Sequence, residues 1–152
     1  MSTFAPPLPN ITFDRNLVLH CADVTVEVRY LGRGHTAGDA VVFIPEDQVI
    51  ATGDLVHGLD PLLFEAFPDE WPATLERLAE LDFDVPVPGH GPVQQGRTIL
   101  SLFKDYLMEL NQLVWEGVSA GKSLPTLQAE LLPGRFRSPA KPRLWASLAE
   151  KP

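Results

Sequence analysis

Three glycine-flanked islands constrain this chain more than any other feature. They are Gly34-His35-Thr36-Ala37-Gly38-Asp39, Thr52-Gly53-Asp54-Leu55 and Pro88-Gly89-His90-Gly91-Pro92. Each holds an imidazole or carboxylate beside a glycine. The second and third follow short apolar runs, Val49 to Thr52 and Val85 to Val87, and the first lies between two such runs. Runs this short and this rich in β-branched residues read as strands rather than helices. Glycine next to a polar residue lets the backbone turn tightly and approach a ligand without a Cβ in the way. A sheet whose loops collect His35, Asp54 and His90 at one edge is the fold such a pattern favours.

The strand pattern is readable ahead of the first island. Val24, Val26, Val28 and Tyr30 alternate with Thr25, Glu27 and Arg29, the period-two signature of a half-buried strand. Ala22-Asp23 turns it back onto Leu17 to Cys21, and Ile11-Thr12-Phe13 is a further short strand candidate. Ala40 to Ile44 and Val49 to Thr52 form a hairpin through Pro45-Glu46-Asp47, the return strand ending at Gly53-Asp54. Val85-Pro86-Val87 is a brief strand, at an edge or irregular, since Pro86 has no N–H to donate to a ladder.

Helices follow. Asp69 is placed to cap a helix running to about Leu81, with Pro72 in its first turn and Trp71, Leu75, Leu78 and Ala79 on one face. From Arg97 to Ser119 the residues Ile99, Phe103, Tyr106, Leu110, Leu113 and Val114 step by three or four, and Ala120-Gly121 ends the run. Ser123 caps a shorter helix to about Leu132 with Pro125 in its first turn, and a last helical piece falls around Leu144 to Ala149. The expected organisation is an extended Pro-rich stretch over 1–10, one domain over 11–133 and a tail over 134–152.

Composition narrows the function classes. A net charge of −8 argues against a nucleic-acid partner, which needs clustered Lys and Arg. No apolar stretch reaches the ~18 residues of a membrane span. Cys21 is the only cysteine, so no intrachain disulfide forms. Together with a start that lacks a signal-peptide pattern, this suggests a cytoplasmic location.

Taken singly, the three candidate ligands have ordinary readings. A histidine in a Gly-rich loop is commonly a polar loop residue, Gly-Asp is a common turn, and Pro-Gly-His-Gly-Pro is a rigid one. Their order, with strands before them and a Trp-bearing helix between the second and third, is what raises them to a joint metal site. Imidazole and carboxylate are the ligands of zinc and similar divalent ions. Of the other histidines, His57 lies three residues past Asp54 and borders the site, and His20 is a core-edge or surface residue. Cys21 reads as a small buried hydrophobe. Asp39 either orients an imidazole or caps the next turn. Asp60 and Glu65 fall in an irregular stretch from Gly58 to Pro68 that forms either a lip over the site or, through Phe64 and Phe67, ordinary core. Gly32-Arg33-Gly34 lacks the Gly-Lys-Ser/Thr of a phosphate loop, and Ser101 and Ser119 lie on or beside a helix with no nucleophile elbow.

From Leu31 to Val93 the sequence resembles the metallo-β-lactamase superfamily, on Gly-His35-Thr-x-Gly-Asp39, Gly-Asp54-Leu and Pro-Gly-His90-Gly. The resemblance implies an α/β (α+β) fold: half of an αββα sandwich, with a mostly antiparallel or mixed sheet and C-terminal helices. It also implies metal ligation by His35, Asp54 and His90. The first would hold one ion, the last a second, and Asp54 would bridge both at the catalytic centre. Zinc is the implied cofactor, with iron or manganese in some members, and a metal-activated water is the implied nucleophile toward a small-molecule substrate. The H-x-H-x-D-H run that opens the family's site does not occur here. The expectation is therefore a metal-dependent hydrolase with only part of its dinuclear site encoded, the rest coming from a complementary N-terminal half. The alternative is a non-catalytic, self-associating remnant, naturally a homodimer. A thiolesterase relative is disfavoured, since such members often carry His where Asp39 stands.

Overall fold

The computed structural model describes residues 8–57, 61 and 63–130. Five strands form one sheet in sequence order: β1 (Asn16–Cys21), β2 (Val24–Tyr30), β3 (Ala40–Ile44), β4 (Val49–His57) and β5 (Val85–His90). The first four are joined antiparallel, and β5 pairs parallel to β4. The crossover between β4 and β5 carries α1 (Trp71–Ala79), as a parallel pair requires. The helices α2 (Thr98–Ser119) and α3 (Leu124–Glu130) follow. The architecture is α+β, a mixed sheet with C-terminal helices, as the sequence pattern predicts.

The core lies on one face only. Val41, Phe43 and Ile50 point from the sheet into α1 and α2, where they meet Trp71, Leu75, Leu78, Ile99, Phe103 and Leu107. The opposite face is different. Leu17, Val28, Val42, Ala51 and Val87 lie on successive rungs from β1 to β5, with Ile44, Val49 and Val85 on a second rung. All are apolar, and none is buried. The alternation in β2 therefore faces Val24, Val26 and Val28 away from the helices.

Several expected details differ. Residues 11–13 form no strand, and Ile11 is exposed; the sheet begins at β1. The N-cap of α1 is Glu70 rather than Asp69, with no side-chain cap. Thr74 joins its buried face while Ala79 is exposed, because the Thr74 hydroxyl donates to the Arg33 carbonyl at 2.7 Å. On α2 the buried face runs through Leu100 and Leu107, leaving Val114 exposed. Ser123 does cap α3, accepting from the Thr126 amide at 3.4 Å. The expected helical piece around Leu144 to Ala149 lies outside the described residues. Among the described residues no helix is long and apolar enough to cross a membrane.

Candidate metal centre

Strand β4 does not stop at Gly53. It continues to His57 through two register irregularities against β5, with Gly53 at a positive φ of 51°. A bulge of this kind re-aims the side chains beyond it. The usual alternation fails accordingly: Leu55, Val56 and His57 are buried in succession. Asp54 is turned toward the end of the sheet, where β5 finishes at His90. His57 and His90 are paired across the parallel ladder, and their rings stack at 5.3 Å with a 24° tilt.

His35 arrives from the loop between β2 and β3. Gly34 precedes it in a position where a Cβ would meet Leu55 Cδ2 at 2.5 Å and Trp71 Cδ1 at 2.9 Å. The Gly34 carbonyl accepts from the Phe67 amide at 2.8 Å, tying this loop to the segment that enters α1. Trp71, fully buried, donates its indole N–H to the Leu55 carbonyl at 3.0 Å and stands edge-on to His35 at 5.9 Å. The same indole thus braces both the histidine loop and the end of β4.

Asp54 is the hub. His35 Nδ1 lies 3.8 Å from its Oδ2, His57 Nε2 3.7 Å from Oδ1, and His90 Nε2 3.4 Å from Oδ1. Ligands about 2.0–2.1 Å from a tetrahedral ion stand roughly 3.4 Å from one another. The spacing therefore suits a divalent ion among these side chains. Gly89 completes the cradle, since a Cβ there would collide with Asp54 Oδ1. His35, Asp54 and His57 each offer a ligand atom within 4.8 Å of the others. The side chain of His57 is only 4% exposed, and its pKa is lowered, first by burial and then, against the pull of Asp54, by His35 and His90. A neutral imidazole is the form that ligates metal.

Other candidates fall elsewhere. Asp39 caps its own turn, accepting from the Thr36 amide and hydroxyl, both at 2.8 Å. Cys21 is exposed on the first strand instead of buried, and His20 is exposed beside it. Phe64 is 92% exposed, contrary to a core role, since it lies in a turn that belongs to no helix or strand. Phe67 is half-buried with the Arg33 guanidinium 4.6 Å over its ring. Glu65 is exposed, and Asp60 lies outside the described residues. Ser101 and Ser119 are exposed on α2, and the Ser101 hydroxyl donates to the Thr98 carbonyl of its own helix at 3.0 Å.

The fold is a mixed sheet with helices on one face, and His35, Asp54, His57 and His90 gather at one end of it with the spacing of a ligand set. The family profile described as "Metallo-beta-lactamase superfamily" matches residues 2–90, more than half of the sequence, and the chain belongs to that superfamily. It is 31% identical over 98 residues to the metallo-beta-lactamase type 2 of Bacillus sp. strain 170, a match covering 60% of this chain and 37% of the relative. To the corresponding protein of Bacillus cereus it is 30% identical over 96 residues, covering 59% and 37%. Among solved structures it superposes on a metallo-beta-lactamase from Pontibacter korlensis with a TM-score of 0.60 at 27% identity, covering 67% of this chain and 50% of that one. The chain thus spans half or less of the length of these relatives.

Proposed function

We propose that this chain provides one half of the active centre of a metal-dependent hydrolase acting on a small-molecule substrate. The observation that carries it is the convergence of His35, His57 and His90 on Asp54 in a member of this superfamily. His35, Asp54 and His90 are the proposed ligands, and zinc is the ion their mixed nitrogen and oxygen set suits best, iron and manganese being the other candidates. A bound divalent ion supplies Lewis acidity and lowers the pKa of water to about 7. The chain's own part is to position: Gly89 and the bulge at Gly53 fix Asp54, and Trp71 fixes His35. Asp54, shared among the imidazoles, is the residue on which catalysis depends.

The open apolar face of the sheet is the proposed seat of the other half. The matched relatives are two to nearly three times longer than the part matched here. An apolar sheet face is buried against another layer in a stable domain, and a contiguous apolar face of this extent marks an interface. We take its occupant to be a second αβ layer bearing the H-x-H-x-D-H cluster. The test is to co-express such a half from a relative with this chain. Expected are a stoichiometric complex, bound metal, and hydrolysis of at least one of a lactam, lactone, thioester, phosphoester or sulfate ester. A chain that forms a two-fold homodimer and ignores the added half overturns the assignment of the occupant in favour of a second copy. A complex without metal or hydrolysis overturns the enzymatic reading and leaves a non-catalytic remnant.

A further inference from the structure

We propose that His57 is itself a metal ligand, so that His35, Asp54 and His57 hold one divalent transition-metal ion within this chain alone. The inference rests on the metal-centre reading above but adds a residue and a stoichiometry to it. Without H-x-H-x-D-H, the three family positions distribute two protein ligands to each of two ions. A zinc site normally takes three or four ligands from the protein. Gathered on a single ion, His35, Asp54 and His57 supply the missing third within one chain, with His90 able to join as a fourth.

The second line of support is independent of that count. Among the described residues, His57 Nε2 is the one buried side-chain polar atom without a hydrogen-bond partner. Its 3.7 Å separation from Asp54 Oδ1 is too long for a hydrogen bond. An unpartnered polar group in the interior forfeits its solvation with nothing in return, so native structures rarely keep one without a reason. Here the atom points at the carboxylate that His35 and His90 also face. The packing holds it there: the ring stacks on Phe103 at 6.1 Å and on His90 at 5.3 Å, and lies 5.3 Å from His35. An ion accepted at this point satisfies the nitrogen and neutralises part of the charge on Asp54.

The experiment is cobalt(II) titration of the purified chain, read by visible absorption and calorimetry, with folding of each variant checked by circular dichroism. The wild-type chain is expected to bind one cobalt with the intense visible bands of low coordination number. His57→Ala is expected to weaken binding by about 100-fold or more, since even outer-shell changes cost about 10–100-fold. His57→Cys is expected to add a near-ultraviolet thiolate-to-cobalt charge-transfer band, which arises only if position 57 coordinates. His20→Ala is expected to change nothing. The inference is overturned if His57→Ala binds cobalt like wild type and His57→Cys shows no new band while His35→Ala and Asp54→Ala abolish binding; the hydrolase reading survives that result. It is also overturned if the wild-type chain binds no cobalt by itself but does so once complemented by an H-x-H-x-D-H half. Absence of metal in both forms removes the hydrolase reading as well.

Discussion

Gly89 presses against Asp54 so closely that a Cβ on it would collide with the carboxylate and stand 2.7 Å from the Gly53 carbonyl carbon and 2.9 Å from the Asp54 amide nitrogen. The carboxylate could swing aside, but the backbone of β4 cannot without breaking its ladder with β5. Gly89→Ala should therefore cost about 1–3 kcal/mol, the range for overpacking a close contact. It should also displace Asp54 from His90. Urea denaturation measures the first effect and cobalt affinity the second. A variant as stable as wild type with unchanged cobalt binding would show that the strands part more easily than this contact implies.

Trp71 joins the core to the centre, and the two roles separate by substitution. In Trp71→Phe the ring still fills much of the space, but the Leu55 carbonyl loses its 3.0 Å donor in a buried position. The expected loss is about 1–3 kcal/mol from the unsatisfied acceptor, with a smaller contribution from the unfilled volume. The His35 ring resonances should shift in the NMR spectrum, since the indole edge that faces them at 5.9 Å is gone. A denaturation midpoint within error of wild type would remove the hydrogen bond from the account.

Much of this arrangement is legible in the sequence, and the unread part has a definite cause. Strands β2 and β3 show in the alternation of Val24 to Tyr30 and the apolar run Ala40 to Ile44, because successive side chains of a strand point to opposite faces and the face turned away from the helices is itself apolar. The islands at His35, Asp54 and His90 show because glycine must flank a close approach. The continuation of β4 to His57 does not show. Gly-Asp reads as a turn, and three residues of regular strand would put Asp54 and His57 on opposite faces. Only the bulge at Gly53, stabilised by the parallel partner β5, brings them together. Exposure of Phe64 was equally hidden, since an aromatic in a loop carries no period to say which way it points.

Arg97 should be an anchor that lysine cannot replace. Its guanidinium donates to the Phe83 carbonyl at 3.1 Å and the Ala79 carbonyl at 2.9 Å, approaches Asp82 at 3.3 Å, and lies 4.8 Å over the Phe83 ring. These contacts fasten the start of α2 to the end of α1, and a planar fork makes several of them at once where an ammonium makes fewer. Arg97→Lys is expected to destabilise the fold by about 1–2 kcal/mol, given partial exposure and the worth of a single net hydrogen bond. Hydrogen exchange should quicken first at the amides around Leu100 and Ser101. Uniform exchange across α2 with an unchanged midpoint would count against the anchor.

Glu46 sets a pH response in the turn that joins β3 to β4. Its pKa is lowered, chiefly by its own backbone N–H and then by Thr25, whose amide donates to Oε1 at 3.1 Å across to the start of β2. A carboxylate with a lowered folded-state pKa favours folding at pH above its unfolded value near 4.5, and that contribution disappears as pH falls through the folded-state pKa. Between those two values the unfolded chain binds more protons, so stability rises with pH there. Glu46→Gln should remove this share of the acid dependence while leaving the neutral-pH structure intact. Carbon-13 titration of the Glu46 carboxyl, together with exchange of the Thr25 amide, provides the measurement. A midpoint at or above 4.5, or a Thr25 amide whose protection ignores pH, would show that the bond across the hairpin does not hold in solution.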